Sequence, residues 1–136
     1  MHRAALIGLL EKIPAEKADF TAWEGGMSFT KLADHLSASA GRMGAMMRGT
    51  EFPKLEPSPN LASAIERLKS THNEAATGLE VMPDEAFAKV IPAFGGREMP
   101  ISALADFLVQ HEAHHKGQVW LMARMIGIEP GMFVAM

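Results

Sequence analysis

Four stretches of the 136-residue chain repeat their apolar residues at intervals of three and four, the period of an amphipathic helix. The first is predicted from about Arg3 to Lys12, with Leu6, Leu9, Leu10 and Ile13 on one face, and it stops at Pro14. A polar connection with Trp23 and a Gly25-Gly26 turn leads to the second, which opens at the N-cap residue Ser28. Its seam reads Phe29, Leu32, Leu36, Met43 and Met46, and it ends near Gly49. The third is expected to start with Ser58 as N-cap and Pro59 in the first helical position, then to bury Leu61, Ile65, Leu68 and Leu79. The segment "KVIPAFGGREMP" reads as irregular, at most a short extended piece turning at Gly95-Gly96. The fourth helix runs from Pro100 to about Ile126, with Gly127 as its left-handed cap and Pro130 beyond. No strand-like alternation lasts long enough to build a sheet. The expected fold is therefore all-α, a four-helix bundle in one domain over residues 1–136.

The fourth helix breaks its own pattern. A heptad places Ile101, Leu104, Leu108, His111, His115, Gln118, Met122 and Met125 on the inward seam, so two histidines and a glutamine interrupt an apolar stripe. An unpartnered buried imidazole costs on the order of 1–3 kcal/mol, and two of them one turn apart require a reason. Four residues advance a helix by about 400°, leaving the two rings about 40° apart and about 6 Å along the axis, close enough to share one ion. The pair reads either as metal ligands or as a hydrogen-bonded core pair. A metal needs a third ligand, for which His35, beside Leu36 on the second helix, and His72, on the face of Ile65 and Leu68, are the candidates. Zinc or nickel accepts neutral imidazole, so affinity is expected to fall below about pH 6 as the ligands protonate.

Composition narrows the chemistry. With no cysteine there is no disulfide, thiolate ligand or cysteine nucleophile, so any metal sits on histidine or carboxylate. Thirteen basic and sixteen acidic side chains, scattered singly, leave a net charge of −3 and no basic face for nucleic acid. No segment reaches the roughly 18–20 apolar residues that span a bilayer, and the N-terminal apolar run is short and lacks a cleavage site. A soluble, cytoplasmic protein is expected. The letters "HEAHH" also satisfy the H-E-x-x-H pattern of zinc peptidases, yet no strand is foreseen to hold a peptide, and Glu112 lies one position round from the seam, where a solvated carboxylate is the plain expectation.

Taken together, "FTKLADHLSAS" and the later "HEAHHKGQVWLMARMIGIEP" resemble the DinB/YfiT-like superfamily, and the likeness extends from "IPAEKADFTAWEGGMSFTKLADHL" to the closing "MIGIEP". The resemblance implies a four-helix bundle, often a homodimer, holding one divalent metal through three histidines. Carried onto this chain, those ligands are His35, His111 and His115. It also implies that the H-E-x-x-H match is accidental. Relatives include transferases and isomerases that use low-molecular-weight thiols, so the implied function is a metal-dependent hydrolase or small-thiol transferase acting on a small-molecule substrate. The alternative is a non-enzymatic metal-binding or dimeric helical module. Gln118 would orient water or substrate, or make a structural hydrogen bond, while Glu112 and His114 are further candidates to support the ligands. For a homodimer, the face carrying Val109 and Trp120 beside Ala113, Gly117 and Ala123 is the expected contact, unless Trp120 packs under the connection that contains Trp23.

Overall fold

The computed structural model of the protein describes residues 1–135, so the last position of the expected 1–136 domain lies outside the described residues. Four helices are present: α1 (His2–Leu10), α2 (Phe29–Arg48), α3 (Leu61–Glu80) and α4 (Ile101–Met125). Helix α2 packs against α3 and α4, and α1 against the same two, which closes the bundle. The all-α four-helix reading holds.

Capping chemistry sets the ends. The Ser28 hydroxyl accepts from the Lys31 backbone N–H, and Gly49 takes the left-handed conformation (φ 67°) that terminates α2. Gly127 (φ 83°) does the same after α4. The start of α3 differs from expectation. Its N-cap is Asn60, whose side chain accepts from Ser63 N–H, and Pro59 stays outside the helix. Ser58 is unavailable as a cap because Asp34 of α2 takes both its backbone N–H (2.7 Å) and its hydroxyl (2.6 Å). Arg67 completes this clamp by donating to Asp34 and to the Glu56 carbonyl, tying the α2–α3 connection to both helices.

The "KVIPAFGGREMP" segment forms a small antiparallel hairpin, β1 (Val90–Pro92) with β2 (Glu98–Pro100), pairing Ile91 with Met99. Three-residue strands are too short for alternation to show in sequence, and a proline at the end of each masks them further. Ile91 is buried and draws the hairpin onto the bundle.

The apolar interior is divided. One cluster gathers Leu6, Leu10, Phe29, Leu32, Leu36, Leu61, Leu68, Val119 and Met122 from all four helices. A second joins Met43, Met47, Ile91, Ile101 and Leu104 at the hairpin end. Both α2 and α4 pass through the two clusters; on α4 the stretch between them carries His111 and His115, and on α2 His35 lies beside Leu36 of the first cluster.

Side chains around α4 depart from the heptad. Met125 is 52% exposed, because the last turn meets the core through Met122, Ala123 and Ile126 instead. Glu112, expected in solvent, is buried, and so is Lys116. Glu112 receives two hydrogen bonds of 2.6 Å from Arg3, whose remaining nitrogen donates to the Leu68 carbonyl at 3.0 Å. Lys116 donates to the Phe133 carbonyl and meets His2 Nδ1 at 2.7 Å, with its ammonium 5.5 Å from the Trp120 ring centre. Burial pushes the Lys116 ammonium below its ordinary pKa. Trp120 is thus half-covered by the chain's own C-terminal segment, including a 3.4 Å hydrogen bond to the Gly131 carbonyl, while Trp23 stands 54% exposed elsewhere. Neither alternative foreseen for Trp120 included this tail.

Candidate metal centre

His35 comes from the middle of α2 and His111 and His115 from successive turns of α4, where the two helices pack together. The Nε2 atom of His35 lies 3.1 Å from Nε2 of His111 and 3.0 Å from Nε2 of His115. His115 is buried and the other two half-buried, so the cluster sits in the wall of the bundle with one side toward the surface. Among the described residues this is the group of three or more histidine or acidic side chains close enough to hold one ion. His72 is exposed on α3 and takes no part.

The protons decide what such a cluster is for. His115 Nδ1–H donates to Gln118 Oε1 at 2.7 Å, one turn further along α4. That bond places the His115 proton on Nδ1 and leaves a lone pair on Nε2 facing His35. The His35 Nε2 has two nitrogen neighbours and at most one proton to offer, so in the neutral set at least one of these short contacts sets lone pair against lone pair. A cation at the centre reverses the sign. Nitrogens at about 2.0–2.1 Å from a zinc ion are separated by about 2.8–3.0 Å in an octahedral arrangement and about 3.3–3.4 Å in a tetrahedral one. The observed 3.0 and 3.1 Å fall within the span of the two.

Electrostatics agree. Burial, followed by the neighbouring His115 and Arg42, lowers the His35 pKa. Burial, followed by His115 and His35, lowers that of His111 to about 4. His111 stays neutral, as a ligand must, to well below the pH at which a free histidine protonates, and the His35 shift runs in the same direction. The expected loss of affinity near pH 6 therefore moves lower for these two. A stability consequence follows for the metal-free chain. Unfolded imidazoles bind protons near pH 6.5, the folded His111 only near 4, so between these values the unfolded state holds more protons. This contribution to stability is complete above pH 6.5 and is lost as pH falls toward 4. Thermal melts of metal-free protein should show Tm declining across that window, and less steeply for His111→Gln.

The other candidate residues separate clearly. Gln118 touches the candidate ligand His115. Glu112 is turned about 100° from His111 around the helix, and both its oxygens are held by Arg3. It is committed to the bundle's interior, which leaves the H-E-x-x-H spelling without its general base. His114 is exposed and meets only the edge of the His115 ring, with centroids 4.9 Å apart. Missed in sequence was Phe107, one turn before His111, whose ring stacks beside that ligand at 6.1 Å. Its spacing of four was visible, but a lone phenylalanine at that position reads as core. An open groove of about 520 Å³ between α1 and the start of α3, lined by Leu10, Ile13, Leu61 and Ile65, contains none of these groups.

Known proteins share this architecture. The Bacillus subtilis protein YjoA, uncharacterized, is 27% identical over 131 residues, covering 93% of this chain and 84% of that one. The uncharacterized YrdA of the same organism is 42% identical over 41 residues, a match spanning only 25% of its length. Among solved structures, the DinB-like YjoA superposes with a TM-score of 0.78 at 23% identity over 97% of this chain and 91% of that one. A DinB-like protein of Bacillus cereus gives 0.80 at 18% identity, covering 96% and 89%. A mutant of the mycothiol-dependent maleylpyruvate isomerase gives 0.67 at 13% identity, covering 93% of this chain and 57% of that one. These structural likenesses establish the fold. The family description "DinB superfamily" matches residues 1–119, which contain His35, His111, His115 and Gln118, and the chain belongs to that superfamily.

Proposed function

We propose that the protein is a metal-dependent enzyme in which His35, His111 and His115 hold one divalent ion, zinc or nickel, through Nε2, and which acts as a hydrolase or small-thiol transferase on a small molecule. The observation that carries this reading is the approach of the His111 and His115 Nε2 atoms to His35 Nε2, at 3.1 and 3.0 Å, with Gln118 holding the far side of one ring. An ion bound there supplies Lewis acidity and acidifies water or a thiol in its remaining positions. The chain's own part is to keep the imidazoles neutral by burial and to hold them in register from two helices. The thiol branch draws support from the fold shared with the mycothiol-dependent isomerase, and the absence of cysteine means that any thiol must come from outside. Elemental analysis of tag-free protein tests the reading: about one zinc or nickel per chain is expected, and a chain that neither retains nor takes up either ion refutes it.

Gln118 serves here as a positioning residue. Gln118→Leu is expected to weaken metal affinity by roughly 10–100-fold, the usual effect of losing a group that orients a ligand ring. Gln118→Glu, which keeps the acceptor, should restore it. Competition against a chromophoric chelator measures both.

A second reading, a bundle that holds metal for stability alone, is favoured by one observation: on α4, His111 and His115 lie between the two core clusters, where an ion would knit them together. A cobalt-loaded protein whose visible spectrum ignores azide and 2-mercaptoethanol would support this reading over the enzyme.

A further inference from the structure

Phe94 and Phe107 are 37% and 43% exposed and belong to neither core cluster. They nonetheless form an ordered file. Their ring centroids lie 5.5 Å apart, and Phe107 in turn lies 6.1 Å from the His111 ring at an interplanar angle of 30°. Phe107 precedes His111 by one helical turn and so stands on the same face of α4, next to that candidate ligand. Phe94 arrives from the hairpin tip, where Gly95 and Gly96 adopt φ of 64° and 72° in succession. Two left-handed residues there turn the chain back on itself, and the tip carries Phe94 across to α4. The rings thus run from the surface to the metal centre.

A second observation lies at the inner end of this file. His111 Nδ1 is buried without a hydrogen-bond partner. With Nε2 turned toward the metal position, that nitrogen carries the proton, so a buried donor on the candidate ligand at the end of the file lacks an acceptor. His115 has its acceptor in Gln118, which makes the gap at His111 specific to this side of the site.

We propose that Phe94 and Phe107 form the apolar wall of the substrate pocket at this centre, selecting small molecules that present an aryl or similarly flat apolar group beside the group that reaches the metal. This rests on the metal-centre reading above. A small molecule suits the wall better than a second copy of the chain. The two rings leave on the order of 150 Å² open, enough for one aryl group, whereas a stable interface needs about 800 Å² per partner.

The test uses the full chain loaded with cobalt(II), titrated with benzyl mercaptan and with ethanethiol while the visible absorption is followed. Benzyl mercaptan should bind about tenfold more tightly than ethanethiol, the preference that burial of an additional ring supplies. Phe94→Ala and Phe107→Ala should each reduce that preference to about twofold or less, leaving the Kd for ethanethiol and for cobalt unchanged. Phe107 lies on the ligand helix and its variant can disturb the site, so Phe94→Ala, on the hairpin, decides if cobalt binding changes in the other. Equal binding of the two thiols by the wild-type protein, or an undiminished preference in Phe94→Ala, overturns the wall while leaving the metal centre standing. A wild-type chain that binds no cobalt overturns both. Variants that turn a dimer into a monomer by light scattering, with the thiol preference intact, make the patch a contact between copies and overturn the proposal.

Discussion

Alanine at His35, His111 or His115 is expected to weaken zinc or nickel binding by roughly a hundred- to a thousandfold. Structural zinc sites with four ligands bind with about 10–16 kcal/mol, or about 3–4 kcal/mol per ligand, and each 1.4 kcal/mol is tenfold in affinity. The three positions should behave alike, because each contributes one Nε2 to the same point. His114→Ala and His72→Ala, both at exposed positions, serve as controls and should leave affinity unchanged. The metal-free fold should tolerate the ligand changes well, since each removes one nitrogen from a crowded set held at 3.0–3.1 Å. Chelator competition gives the affinities and thermal melts the stability. A variant at any of the three that binds as tightly as wild type removes that residue from the ligand set.

The largest loss of stability is expected at the Arg3–Glu112 pair. Both side chains are buried, 5% and 6% exposed, and they meet through two 2.6 Å contacts. Removing one partner leaves an unpaired charge in the core, which costs about 3–5 kcal/mol, a large share of the roughly 5–15 kcal/mol that holds a domain of this size together. Glu112→Ala and Arg3→Ala should each show this. The double replacement Arg3→Met with Glu112→Leu should recover most of it, because paired apolar side chains of similar volume avoid the desolvation that the ion pair must offset. Metal affinity should be indifferent to Glu112→Ala in whatever fraction remains folded. A large drop in affinity, with melting unchanged, would instead restore Glu112 to the metal centre. Urea titration of the metal-free variants beside chelator competition separates the two outcomes.

How much of this was readable beforehand depended on the range of the interaction. Ser28, Gly49 and Gly127 act on backbone groups within a few residues, and their roles as helix ends were legible from sequence. The grouping of His35 with His111 and His115 was legible only through the family resemblance, since periodicity left His72 open. The start of α3 was misplaced because Asp34, twenty-four positions earlier, takes the Ser58 side chain that would have capped it. Glu112 was assigned to solvent because its partner is 109 positions away at the N-terminus, and nothing in a helical pattern announces such a pairing. Lys116 was missed for the same reason. The hairpin is legible only as a short extended piece turning at Gly95-Gly96, because its three-residue strands are shorter than the four or more residues over which alternation shows.

The divided core also gives the protein a line along which to come apart. Val119 and Leu36 belong to one cluster and Leu104 and Met43 to the other, and on α4 the imidazoles of His111 and His115 lie between them. Polar rings packed nitrogen to nitrogen add little cohesion to that layer, so in the metal-free chain local opening is expected to begin at the hairpin end, and amide hydrogen exchange checks this by faster exchange there than around Leu36 and Val119. An ion held by both helices would rivet the two ends into a single cooperative body.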